Sequence, residues 1–256
     1  MAGTSSGRDE VERLRRDHTP AAVAARLARR PVHSYLRDFV YGAIDGAVTT
    51  FAVVAGVAGA GLRSSIVIIL GVANLIADGF SMAVSNYVGV RTERQQHDAA
   101  RAEEHRQIAL HPDGEREEVR QILARKGLDA GALDDAVTAI TSDVDRWVDV
   151  MLTDELGLAS NLPEPVRAAA TTFTAFITVG LLPLLPFIVS AMAPGAIAQP
   201  FRWSSATTAA GFFLVGAAKG RLVGQRPLRS GVEVLAIGGA AATLAYVAGA
   251  LLGGLA

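Results

Sequence analysis

Between residues 39 and 90 the chain carries only three ionisable side chains besides tyrosine: Asp45, Arg63 and Asp78. A stretch this apolar constrains the fold more than any other feature. The hydrocarbon core of a bilayer is about 30 Å thick and takes about 20 mainly apolar residues as a helix. Five segments meet that requirement: 39–61, 64–90, 168–192, 204–222 and 232–255. Little more than Leu62 and Arg63 joins the first two, which makes them a helical hairpin. Pro183 and Pro186, in GLLPLLPF, are expected to kink or break the third.

The charges missing from these segments sit elsewhere. Most of the 25 acidic residues fall within 91–164, although the formal net charge of the chain is only −1. The pattern is that of an all-α polytopic membrane protein with one soluble insert. The expected organisation is a polar N-terminal tail over 1–36, partly disordered, then two spans over 37–90. An acidic helical insert over 91–164 and three further spans over 165–256 follow. The chain has no cysteine, which excludes disulfides, thiolate metal sites and cysteine nucleophiles. Residues 1–37 have no apolar core followed by a small-residue cleavage site, so no signal peptide is read there.

Lys and Arg in short loops set orientation. Arg26, Arg29, Arg30 and Arg37 precede the first span, and Lys219, Arg221, Arg226 and Arg229 lie between the fourth and fifth. The opposite connections carry Arg63 and Arg202. Five spans then put the N-terminus and the insert in the cytoplasm and the C-terminus outside. Within the insert, the second span runs on through RTERQQHDAARAEEHRQIAL to a break at HPDG. EREEVRQILARKG reads as a helix closed by Gly127. A third helix is expected over 132–158, with Leu133, Val137, Ile140, Val144, Trp147, Met151 and Leu156 at helical spacing.

Asp78, Ser81, Met82 and Ser85 share an arc of about 100° on a helix, flanked by Asn74 and Asn86. Asp38, Gly42, Asp45 and Thr49 follow i, i+4, i+7, i+11 spacing on the preceding span. Carboxylates at membrane depth are expensive and usually mark ion pathways or proton relays. The structural alternative for Asp78 is a protonated acid hydrogen-bonded between helices, and for Asp38 a solvated helix-end charge. A thioether beside a carboxylate suits a borderline transition metal better than Mg²⁺ or Ca²⁺. No phosphate loop, Ser-His-Asp pattern or basic nucleic-acid surface is present, and no resident cofactor is expected. A di-iron oxidase usually needs Glu-x-x-His pairs, which the acids of the insert lack. A metal sensor without transport would not need the carboxylates in the spans.

YGAIDGAVTTFAVVAGVAGA, GVANLIADGFSMAVSNYVGVRTE, an acidic insert ending in VMLTDELGL and three more apolar segments resemble the vacuolar iron transporter family over about 35–255. The resemblance implies a five-span homodimer that exchanges Fe²⁺, and often Mn²⁺, for protons. It implies that the first helices line a pathway at the dimer axis and that a cytoplasmic three-helix domain gathers metal. By the same resemblance Asp45 and Met82 form an intramembrane metal pair, and Glu104, Glu115, Glu118, Met151 and Glu155 are cytoplasmic ligands. The polar stripes add Asp38, Thr49, Asp78 and Asn86 as candidates for the pathway or the proton route. Glu115 and Glu118 are i, i+3, and Met151 and Glu155 i, i+4, so each pair shares a helix face. Gln107 and Leu152 stand where the family typically has glutamates, and Ser85–Asn86 where it commonly has Gly-Glu. A weaker cytoplasmic site is implied, helped by Glu103, His97, His105 or Asp154. The expectation is a proton-coupled exporter of Fe²⁺, Mn²⁺ and similar ions in a bacterial plasma membrane, not an enzyme. A membrane-bound metal sensor or a di-iron oxidase is the alternative.

Overall fold

A computed structural model describes residues 4–28 and 33–255. Two compact units are present, 1–33 and 34–256. In the first, α1 (Thr4–Asp17) is followed by α2 (Pro20–Ala28). Thr19 caps α2 by accepting from the Ala22 N–H at 3.4 Å, and Pro20 occupies the first helical turn, where its missing N–H is harmless. Arg15 and Arg16 sit in the last turn of α1, where the helix dipole favours cations. The tail, expected to be partly disordered, is therefore helical over these residues. Arg29, Arg30 and Ala256 lie outside the described residues.

The second unit is all-helical among the described residues. Its elements are α3 (Leu36–Gly59), α4 (Ser64–Leu110), α5 (Pro112–Arg125), α6 (Ala130–Thr141), α7 (Val144–Val150), a π-helical turn (Met151–Glu155), α8 (Pro165–Gly180), α9 (Leu185–Met192), α10 (Pro200–Leu222) and α11 (Pro227–Leu252). Three of them, α3, α4 and α11, are long and apolar enough to cross a membrane; α8 and α9 together qualify as one span broken by 57°. This makes three or four candidate spans where five were expected. The shortfall is α10: its serines and threonines, with Arg202, Lys219 and Arg221, dilute its hydropathy. It nevertheless packs against α3, α9 and α11, with Ser204, Thr208 and Phe212 buried.

α3 lies at the centre of the bundle, against α4, α8, α10 and α11. Gly42 and Gly46, one turn apart, face the backbone carbonyls of Thr172 and Phe176 on α8. A Cβ at either position would collide with that backbone, the small-residue device by which membrane helices approach closely. At the α8–α9 break the prolines free carbonyls that water would otherwise satisfy. Ser204 Oγ donates to the Pro183 carbonyl at 2.6 Å and Thr207 Oγ1 to that of Leu182 at 3.4 Å, which makes the break tolerable in lipid.

The 47 residues of α4 form one continuous helix about 70 Å long. Over its apolar half Val67, Gly71, Leu75, Gly79 and Ala83 are buried at i+4 intervals. Ile69, Ile76, Phe80, Val84 and Val88 face away from the chain. Its polar half joins α5, α6 and α7 around a second core of Ile108, Val119, Ile122, Leu123, Val137, Trp147, Val148, Met151 and Leu152. His111 ends α4, Pro112 begins α5, and Gly127 at φ +94° follows it as expected. The third helix of the insert is not continuous. Asp143 accepts from the Arg146 N–H at 2.9 Å and starts a new helix, and the chain then widens into the π turn. The break resets the register: Val137, Trp147 and Met151 stay in the core, but Val144 and Leu156 are exposed.

Candidate functional site

The hairpin of α3 and α4 is antiparallel, and Asn86 fixes its register. Asn86 Nδ2 donates to Asp38 Oδ1 and to Thr172 Oγ1, each at 2.8 Å. Asp38 is buried by this arrangement. Arg37, Asp38, Tyr41, Met82, Ser85, Asn86 and Thr172 line a cavity of about 220 Å³. Counting along both helices from the Asp38–Asn86 contact puts Asp45 about 10 Å deeper, level with the turn that holds Asp78. The two carboxylates lie within electrostatic range of each other. Met82 stands about one turn nearer Asp38. The expected Asp45–Met82 pair is therefore staggered, with the thioether in the cavity wall and the carboxylate below it.

Thr49 Oγ1 donates to the backbone carbonyl of Asp45 at 2.9 Å, so its hydroxyl turns back on its own helix. Asp78 accepts from Asn74 Nδ2, one turn earlier on α4. Asp78 is exposed within a single chain, with Asn74 as its hydrogen-bond partner.

The insert gathers acids differently. Glu104 on α4 and Glu115 on α5 are only 4% and 5% exposed, yet Oε2 of each has no hydrogen-bond partner. Burial pushes Glu104 up to about 7, and repulsion from Glu155, Glu115, Glu118 and Glu103 adds to it. Burial and then Glu118 and Glu155 raise Glu115; burial and then Glu118 raise Glu155. Carboxyls in this position favour a proton or a bound cation. They do not form a closed shell: among the described residues no three of His, Asp or Glu stand so as to hold a metal ion. Met151 is fully buried in the apolar core of the insert.

The expected helpers are mostly committed elsewhere. Hydrogen bonds from Arg106 and Gln107 hold Glu103 down at about 2. Asp154 pairs with Lys126 at 2.6 Å, and His105 lies 3.7 Å from Asp145. Gln107 donates to Glu103 Oε1 at 2.9 Å, and Leu152 is buried in the core, so neither adds a carboxylate. Arg37 was read from the sequence only as an orienting charge, and Tyr41 and Thr172 were not singled out. Thr172 reaches the cavity from α8, and one among the threonines of that span (Thr171, Thr172, Thr174 and Thr178) gives no signal of such a partner.

Fold and site together define an integral membrane protein of packed α-helices, with carboxylates both at membrane depth and in a helical insert. The VIT family profile matches residues 36–250. Vacuolar iron transporter 1 of Arabidopsis thaliana is 34% identical over 214 residues, covering 82% of this chain and 83% of that protein. The vacuolar iron transporter of Toxoplasma gondii is 36% identical over 224 residues, covering 85% and 74%. Vacuolar iron transporter 1 of Eucalyptus grandis is 31% identical over 247 residues, covering 95% and 94%. The chain belongs to the VIT family.

Proposed function

We propose that this protein is a proton-coupled transporter, not an enzyme, that exports Fe²⁺ and chemically similar divalent ions such as Mn²⁺ from the cytoplasm. The observation that carries this reading is the placement of Asp45 and Asp78 at one level of two adjacent membrane helices, below a cavity lined by Asp38, Met82 and Asn86. A carboxylate in a medium of low dielectric is stable only when neutralised by a proton or a cation. The two occupants exclude each other, so metal arriving at Asp45 expels a proton and a proton arriving from the far side expels metal. The names of the relatives in Arabidopsis and Toxoplasma support iron as the cargo.

In this reading Glu104, Glu115, Glu118 and Glu155 capture metal at the cytoplasmic surface, with Met151 as a further ligand drawn from the core of the insert. Met82 favours a transition metal over Mg²⁺ at the cavity. α10 is the fourth of five spans, held in the bundle by its buried face. The N-terminus and the insert lie in the cytoplasm, the C-terminus outside, and the bounding membrane is the plasma membrane. A homodimer covers the outward face of α4, where Asp78, Ser81 and Ser85 accompany Phe80, Val84 and Val88.

Purified protein in liposomes containing a pH dye tests the reading. Added Fe²⁺ or Mn²⁺ should enter while the interior pH changes in the sense of proton counterflow. Metal entry with no pH response would contradict the coupling, and no entry would contradict transport. Single cysteines at Ser160 and Gly254, introduced into this cysteine-free chain, should label from opposite sides of the membrane; labelling from the same side would contradict the odd number of spans.

A further inference from the structure

The cavity and the acids of the insert are joined by one helix, α4. Successive residues of a helix turn by 100°. Glu93, His97 and Glu104 therefore all fall within about 20° of a line drawn along α4 from Asn86. The line runs about 27 Å, with the Glu93–His97 pair near its middle, about 10 Å from either end. On this side Val90 and Glu104 are buried and His97 is half-buried, while Glu93 is exposed, so the pair stands at the edge where the helix meets solvent; Gln95, Gln96, Asp98 and Ala99 are exposed as well.

We propose that Glu93 and His97 form a metal site of their own, a chelating pair that passes the ion between the insert and the membrane cavity; this rests on the reading that the cargo is a divalent metal. An acid and an imidazole four residues apart on one helix face can hold the same ion, and the pairing of imidazole with carboxylate suits borderline divalent metals. The residues three and four positions from Glu93 are Gly89, Val90, Gln96 and His97, so no cation on α4 competes for its carboxylate.

The nearby arginines are engaged elsewhere. Arg94 donates to the Pro163 carbonyl at 2.9 Å, Arg91 to the Tyr87 hydroxyl at 3.4 Å, and Arg101 to Asp145 and Asp149 at 2.9 and 2.7 Å. His97 Nδ1 lies 3.8 Å from Asp98 Oδ1, too long for a hydrogen bond, so Asp98 does not hold the ring. Two protein ligands completed by water give weak binding, as a transit site needs if the ion is to leave again.

The test uses Co²⁺ with the full-length protein in detergent. The starting variant carries Glu104→Gln, Glu115→Gln and Glu155→Gln, which silence the cluster in the insert. Adding His97→Ala or Glu93→Gln should weaken one remaining Co²⁺ by at least tenfold, about 1.4 kcal/mol, and should alter its visible d–d absorption. His97→Gln, which keeps the size of the side chain, should behave like His97→Ala; His18→Ala, just past the end of α1, should change nothing. Co²⁺ isotherms and spectra that superimpose with and without His97 would overturn the proposal. In liposomes, His97→Ala should slow Co²⁺ entry several-fold in a protein whose wild type transports it. Failure of the wild type to move Co²⁺ would count against the transporter reading and leave the binding result to decide the pair.

Discussion

The acids of the insert and the acids of the membrane hairpin meet the same electrostatic problem with opposite architectures. In the insert, Glu104 and Glu115 are anchored to an apolar core of their own, and burial by the same chain raises their proton affinity. In the hairpin, Asp45 is half-covered and Asp78 faces outward, so a single chain leaves the pair open along one side. The difference teaches how labour is divided. On the proposed function, acids buried by their own chain suit capture of an ion at equilibrium, whereas acids left open along one side suit its release. Gly42 and Gly46 bring the backbone of α8 against α3 on the flank of this polar stripe, so the polar face is presented from a rigid support.

The largest effect should come from removing that support. Gly46→Leu forces a side chain into the Phe176 carbonyl, and overpacking against backbone costs about 1–3 kcal/mol or more. The expected result is loss of the dispersed, detergent-soluble bundle by size exclusion. A monodisperse Gly46→Leu protein with native thermal stability would show that the close approach of α3 and α8 is dispensable.

Next comes the separation of capture from passage. Replacing Glu104, Glu115 and Glu155 by Gln should weaken equilibrium Mn²⁺ binding by at least tenfold, about 1.4 kcal/mol, while transport persists at saturating metal. Complete loss of flux at saturating Mn²⁺ in a folded protein would merge the two sites into one function.

The comparison sharpens with pH. Folded Glu104 holds its proton up to about 7, against 4.5 for an ordinary glutamate. The metal-free protein is therefore most stable below pH 4.5 with respect to this group, and that contribution disappears as pH rises through 7. Thermal melts without metal should fall across this window, Mn²⁺ should restore the melting temperature at the alkaline end, and Glu104→Gln should flatten the profile. A melting temperature that rises across the window in both proteins would contradict the assignment.

A smaller effect is expected at the cavity wall. Met82→Leu keeps the volume and removes the sulfur, so it should reduce Fe²⁺ transport a few-fold and leave Mn²⁺, a harder ion, less affected. Equal losses for the two metals would make Met82 a packing residue.

Much of this arrangement was legible in the sequence, and the exceptions have physical causes. The apolar runs marked α3, α4 and α11, and Pro183 with Pro186 marked the break between α8 and α9, because burial and backbone chemistry act locally there. The fourth span was read from an apolar stretch that the serines and threonines of α10 make marginal, since its place depends on packing against α3 and α11. The third helix of the insert looked continuous because its apolar spacing runs through Ser142 and Asp143. A side chain that caps the following helix breaks it, and periodicity does not record such a cap. The N-terminal helices escaped notice because α1 is charge-rich and α2 is only nine residues long with none of them buried, so neither carries a burial signal. At the site, Asp38 and Asn86 stood out as polar residues in apolar surroundings, but their link through Thr172 needed the third helix to be in place.

The central claim is that one membrane carboxylate, Asp45, serves proton and metal in turn. Asp45→Asn keeps the shape and the hydrogen-bonding capacity but cannot carry the charge. The direct measurement is Fe²⁺ flux and internal pH recorded together in liposomes holding Asp45→Asn protein, with Mn²⁺ binding to the insert measured on the same preparation. The account predicts that insert binding is unchanged while Fe²⁺ entry and proton counterflow both vanish. Wild-type flux of both ions through Asp45→Asn would show that this aspartate only holds the helices together.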